Sequence, residues 1–218
     1  MENPRVFEIY KRLFHAYGPQ HWWPGETRLE VIVGAVLTQN TSWQNVEKAI
    51  YNMKKAGLLE LKALAEVRIE RLAELIKPSG YYNIKADRLK EVILFFSNNG
   101  GIESFLSRDA DELRESLLGI KGVGEETADS IILYAFEKPV FVVDAYTKRV
   151  FSRLGLIPEG AAYPEVKSFF EEVLPRDASL FNEYHALIVR LGKERCRKKD
   201  PLCHGCSIKS ICTFSPSL

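Results

Sequence analysis

The chain is short of the residues that mark several other protein classes. Its 218 residues hold 4 cysteines, 4 histidines and 2 methionines. No apolar stretch approaches the roughly 20 residues that an α-helix needs to cross a bilayer, so we expect no membrane span. The opening segment MENPRVFEIYKRLF mixes charges and lacks the apolar block of an export signal, which makes the cytoplasm the expected location. Val140-Phe141-Val142-Val143 is the one β-branched run, four residues between a proline and Asp144, and it suits an extended connector better than a sheet. Neither an internal repeat nor a low-complexity segment is present, which excludes solenoid architectures. An excess of one charge is lacking as well. The 30 basic and 29 acidic residues leave a net charge of +1, so total charge does not announce a polyanionic partner.

What the chain does have is helical periodicity. Apolar residues recur at three- and four-residue spacing over residues 4–17, 27–38, 43–57, 69–76, 83–97, 109–118, 125–136, 145–154, 163–173 and 178–192. Gly- and Pro-containing breaks separate them, as at Tyr17-Gly18-Pro19, Pro78-Ser79-Gly80 and Asn99-Gly100-Gly101. This predicts an all-α fold of two helical lobes. One spans residues 28–138; the other combines residues 1–27 with 139–218, the N-terminal helix returning to pack with the C-terminal ones. A groove between two such lobes is a natural ligand site.

All the cysteines lie within the seventeen residues from Cys196 to Cys212, written C-x6-C-x2-C-x5-C through Cys203 and Cys206. A packed core requires no such crowding, whereas four thiolates converge readily on one metal centre. Zinc favours two short knuckles, and only Cys203 to Cys206 is short here, so an iron–sulfur cluster fits better than zinc. A pair of disulfides needs an oxidising compartment and a small core, for which a chain of this size shows no need. Arg190, Lys193, Arg195, Arg197, Lys198 and Lys199 crowd beside the run against one acid, Glu194. They suit either a phosphate-binding patch or the solvated flank of a loop.

Leu118-Gly119-Ile120-Lys121-Gly122-Val123-Gly124-Glu125 reads as a tight turn between two helices. Its glycines permit left-handed dihedrals and close approach of an outside group, while the amides opening the second helix face outward toward an anion. Ile120 and Val123 are expected to pin the turn to the core and Lys121 to add charge. The same pattern also serves as an ordinary helix–helix turn. It is not a P-loop, because no Gly-Lys-Ser/Thr ends it and no strand precedes it. Asp144 follows the connector and precedes a helix, so it suits an N-cap. A carboxylate there is also placed to stabilise positive charge on a sugar or to orient water.

Together these stretches resemble the endonuclease III-like superfamily of helix–hairpin–helix DNA glycosylases. The resemblance runs through Ala35–Thr41 (AVLTQNT), Ser79–Ala86 (SGYYNIKA), Leu118–Ala128, Val142–Tyr146 (VVDAY) and the four cysteines. It implies a DNA-binding helix–hairpin–helix, Asp144 as the catalytic aspartate, and a C-terminal loop in which Cys196, Cys203, Cys206 and Cys212 hold a [4Fe–4S] cluster. It also implies DNA contacts by Gly119, Lys121, Gly122 and Gly124, with a monovalent cation at the hairpin. Gln39 would fill the gap that a flipped nucleotide leaves, and Tyr81 would wedge the opposite strand. The implied partner is duplex DNA containing damaged bases, met by a monomer.

One departure bears on the chemistry. Bifunctional members carry a lysine nucleophile where this chain has Glu126, and a carboxylate cannot form the imine that leads to strand cleavage. The expected activity is therefore hydrolytic. Within the superfamily the chain is most similar to the 3-methyladenine DNA glycosylase III subgroup. That likeness implies a base pocket of Trp22, Trp23, Pro24 and Trp43, with Lys193 as a pocket lysine open to carbamylation. A subgroup member without the cluster cysteines differs from this chain, which retains them. The tryptophans also suit an ordinary core. The reading is thus a monofunctional glycosylase for alkylated purines, chiefly 3-methyladenine, in base excision repair. A bifunctional lyase for oxidised pyrimidines and a non-enzymatic DNA-binding module are the alternatives.

Overall fold

A computed structural model describes residues 4–22 and 25–214. Eleven α-helices are present among them: α1 (Pro4–Tyr17), α2 (Arg28–Leu37), α3 (Trp43–Lys55), α4 (Leu61–Glu66), α5 (Ile69–Leu75), α6 (Tyr82–Asn98), α7 (Ala110–Leu118), α8 (Glu125–Phe136), α9 (Ala145–Arg153), α10 (Tyr163–Val173) and α11 (Ala178–Glu194). No strand occurs among the described residues, so the fold is all-α. Val140–Val143 is extended and buried without a β partner. Helix α4 (LKALAE), the shortest of the eleven at six residues, is not among the segments the periodicity marks. Helix α11 continues past the expected end at residue 192, which makes Lys193 a helical residue.

The chain divides into two compact units, Trp23–Lys138 and Met1–Trp22 with Pro139–Leu218. In the first, α2 and α8 pack together, α2 buried at nine of its ten residues and α8 at ten of its twelve. Every residue from Leu29 to Leu37 is buried, including Glu30, whose carboxylate meets Lys54 Nζ at 3.0 Å. Thr27 caps α2 by accepting from the Glu30 amide at 3.2 Å. Around this pair α7 is fastened to α8 through Arg114, whose Nε lies 2.7 Å from the carboxylate of fully buried Asp129.

The second unit has an aromatic core. Phe141 stacks on Phe170 with ring centroids 3.9 Å apart, and Phe151, Phe181 and Tyr184 close around them edge-on. The phenol of buried Tyr184 donates to the Val6 carbonyl at 2.7 Å, which fixes α1 against α11. Burial raises the Tyr184 pKa well above its ordinary value, so it stays a donor. Helix α1 meets that surface with Val6, Ile9 and Leu13, one apolar stripe at helical spacing.

Candidate active site

Asp144 is the N-cap of α9. Its Oδ1 accepts from the Thr147 amide at 2.7 Å and from the Thr147 hydroxyl at 2.9 Å. Both bonds fall on one oxygen. Oδ2 instead faces Nε2 of His185 across 3.7 Å, beyond hydrogen-bond range. The carboxylate is nearly enclosed, with 13% of its side-chain surface accessible. Burial pushes the His185 pKa down, Asp144 opposes that shift, and Lys193 adds to it. A neutral imidazole therefore stands beside the carboxylate, and among the described residues no lysine or arginine pairs with Asp144.

Helix α11 carries His185 and Lys193 about two turns apart. Lys193 Nζ sits 5.7 Å from the Trp22 ring centroid, a cation–π contact that brings together two of the expected pocket residues. Trp43 belongs to the other unit, where its indole donates to Glu47 at 2.8 Å. Trp23 and Pro24 lie outside the described residues. Gly192 has a clear structural reason. A Cβ there would overlap the Tyr146 ring, so the missing side chain is what lets Tyr146 lie against α11. Arg149 stacks over the same ring at 4.9 Å and donates to the carbonyls of Gly192 and Cys196 at 3.0 and 2.8 Å.

The cysteine loop begins there. Cys196, Cys203, Cys206 and Cys212 are free thiols, all four half-buried, and all four line one cavity with Leu154, Leu191 and Ile208. Burial pushes the Cys206 thiol up, and the other three cysteines push it further, so the four share one electrostatic neighbourhood. Among the described residues no three His, Cys, Asp or Glu side chains close on a point as a single metal ion requires. Four half-buried thiols lining one cavity are a donor set of the kind an iron–sulfur cluster takes. Arg153 fastens the loop, donating to Cys196 Sγ at 3.3 Å and to the Arg197 carbonyl at 2.7 Å. In the basic stretch, Arg190 pairs with Glu194 at 3.0 Å, while Arg197, Lys198 and Lys199 are exposed.

In the other unit, the turn between α7 and α8 is pinned by buried Ile120 and Val123, and Lys121 is exposed. Of its three glycines only Gly122 needs a left-handed backbone, with φ +89°; Gly119 and Gly124 have negative φ. Gly124 is the N-cap of α8 and supplies no side-chain acceptor, so the first-turn amides are open to an outside anion. Glu126, in that first turn, is exposed. In the unit of Asp144, the Lys148 ammonium donates to the Ala161 carbonyl at 2.9 Å.

Two further loops belong to the same unit as the hairpin. Gln39 lies in the turn after α2, followed by left-handed Asn40. Tyr81 caps α6 in a left-handed conformation, φ 46°, with 72% of its surface exposed. The helical periodicity gave no notice of Lys85 or His185, both buried. Each was detectable as a charged or polar residue at a core position of an amphipathic helix.

Comparison with known proteins agrees with this geometry. The signature of the HhH-GPD superfamily base excision DNA repair proteins matches residues 33–176. A candidate DNA repair glycosylase of Methanocaldococcus jannaschii is 55% identical over 95% of each chain. Endonuclease III of Thermotoga maritima is 32% identical over 84% of this chain and 82% of its own. Among solved structures, the 3-methyladenine DNA glycosylase MagIII of H. pylori, bound to 1,N6-ethenoadenine, has a TM-score of 0.78 and 35% identity over 87% of this chain and 97% of that one. An endonuclease III–DNA complex shares the fold at TM-score 0.83 with 21% identity, over 98% and 96% of the two chains. The chain belongs to the HhH-GPD superfamily of base excision DNA repair proteins.

Proposed function

We propose that this enzyme, a DNA glycosylase by family, hydrolyses the N-glycosidic bond of alkylated purines, chiefly 3-methyladenine, in duplex DNA and leaves an abasic site. The observation that carries the reading is the asymmetric use of Asp144. One oxygen is spent on the cap, and the other faces a neutral imidazole with its negative charge uncompensated. Such a carboxylate stabilises positive charge developing at the sugar C1′ and orients the attacking water. The water oxygen bonds to C1′, the C1′–N bond breaks with its electron pair leaving on the base, and the water proton passes to Asp144 or solvent. An N3-alkylated adenine is already cationic, so its departure as a neutral base requires little protonation.

Flipping the nucleotide costs a few kcal/mol. Stacking of a cationic base on Trp22, Trp23 or Trp43, with Pro24 shaping the pocket, returns roughly 0.5–2 kcal/mol per good contact. A protonated Lys193 competes for the Trp22 face, and carbamylation of Lys193 would remove the competing charge. Gly119, Lys121, Gly122 and Gly124 would take a DNA phosphate, with a monovalent cation at the hairpin, while Gln39 and Tyr81 would fill and wedge the opened duplex. Cys196, Cys203, Cys206 and Cys212 would hold a [4Fe–4S] cluster whose bonds fasten the basic loop. Glu126 supports the absence of lyase chemistry, because a carboxylate forms no imine.

The test is mass analysis of bases released from a mixed alkylated and oxidised duplex, with Asp144→Asn as control. Release of 3-methyladenine without a borohydride-trapped covalent complex supports the proposal. The four-cysteine loop and the Thermotoga maritima relative favour a second reading, an endonuclease III-type lyase. Release of thymine glycol with β-elimination would establish that one instead. Absorption near 400 nm reports the cluster, and zinc without iron would exclude it.

A further inference from the structure

The side chain expected to enter the duplex is already engaged at both ends. Gln39 Oε1 accepts from the Arg88 guanidinium, and Gln39 Nε2 donates to the hydroxyl of Thr127 at 2.9 Å. Thr127 is buried in the first turn of α8, directly after the glycine hairpin. Arg88, on α6, then runs across the hairpin itself. A Cβ built on Gly122 would lie 2.5 Å from Arg88 Cγ and 3.0 Å from both Cδ and Nε. Gly122 therefore has two independent reasons to be glycine: its left-handed backbone and the arginine stem that covers it.

One helical turn before Arg88, Lys85 is buried and donates to the carbonyls of Leu37 and Ser79 at 2.9 and 2.6 Å. These carbonyls lie two residues before Gln39 and two before Tyr81. Helix α6 thus holds the bases of both loops through Lys85, and through Arg88 it joins the tip of one to the hairpin. A glutamine amide held from both ends by a charged fork and a buried hydroxyl loses the rotamer freedom of an exposed side chain. Displacement of the hairpin at Gly122 displaces Arg88, and with it Gln39.

We propose that Arg88 is a positioning residue that couples phosphate docking at the hairpin to the entry of Gln39 into the space left by the flipped nucleotide. The coupling rests on the glycosylase reading above, but its parts lie within one unit and exist before DNA binds. Arg88→Met keeps the stem over Gly122 and removes the fork. It should lower single-turnover base release about tenfold, with KM little changed, and Arg88→Lys should recover part of the loss. In a Gln39→Ala background, Arg88→Met should cost nothing further. Equal losses in both backgrounds would overturn the proposal, because Arg88 would then act independently of Gln39. Nitrogen relaxation of the Gln39 side-chain amide in the free protein supplies the second measurement. The amide should be as ordered as the backbone in the wild type and mobile in Arg88→Met; equal mobility in both overturns the coupling. Should no damaged duplex yield a free base, the glycosylase reading fails while the amide still decides the role of Arg88.

Discussion

Two helix N-termini, one in each unit, solve the same electrostatic problem in opposite ways. At α9 one orphan amide, that of Thr147, is satisfied from within by Asp144 Oδ1, and the Thr147 hydroxyl donates a second bond to the same oxygen. At α8 the cap is Gly124, which brings no side chain, and the amides stay available. A filled N-terminus orients a carboxylate with high precision; an open one receives an anion from outside. On the function proposed above, the first would serve the chemistry and the second the recognition of the DNA backbone, using the same local dipole.

The largest effect is expected from separating the two uses of Asp144. Asn caps a helix about as well as Asp, so Asp144→Asn should keep the fold and duplex binding while base release falls by about 10²–10⁴-fold. A parallel loss of thermal stability would mean that the cap, not the charge, is what the site needs. The next largest concerns the clamp that holds the open terminus. Arg114→Ala removes the guanidinium from fully buried Asp129 and should cost about 3 kcal/mol in denaturant unfolding. A loss below about 1 kcal/mol, the range of surface pairs, would show that the α7–α8 hairpin does not depend on that pair.

Making the two termini alike is the most direct way to break the comparison. The backbone at Gly124 is extended and its missing Cβ would meet open space, so Gly124→Asp is sterically free. The new carboxylate should cap α8, raise stability by a few tenths of a kcal/mol and weaken duplex binding about tenfold. Unchanged binding in a filter or anisotropy titration would remove the α8 terminus from the DNA interface.

Much of this was legible in the sequence, and what was not has a physical cause. Among the described residues the 3.6-residue period marks ten of the eleven helices and misses the shortest, α4. The helix–hairpin–helix, Asp144 as a cap and the crowding of the cysteines follow from residue types at fixed spacing. The pairs that make the loops work do not. Arg88 with Gln39 and His185 with Asp144 are joined by tertiary packing across 49 and 41 residues, and no local pattern encodes such partners. The hairpin glycines differ in why they are glycine. Gly122 alone among the hairpin's three takes a left-handed backbone, whereas Gly124 earns its place by lacking a side chain at a cap.

The smallest expected effect comes from the imidazole that leaves Asp144 Oδ2 uncompensated. Burial, aided by Lys193, depresses the His185 pKa below its ordinary value of 6.5, and Asp144 only partly opposes this. The folded chain therefore refuses a proton that the unfolded chain accepts. Its contribution to stability is fully present above pH 6.5 and is lost as pH falls from there toward the depressed folded value. Thermal melts should be flat on this account above about pH 7 and decline below about 6.5, with the decline reduced in His185→Gln. Base release should fall only at lower pH, where His185 of the folded enzyme takes up its proton, since an imidazolium 3.7 Å from Oδ2 would take up the charge that the sugar cation needs. If His185→Gln melts with the wild-type slope, other groups carry the acid sensitivity and the charge state of His185 does not tune Asp144.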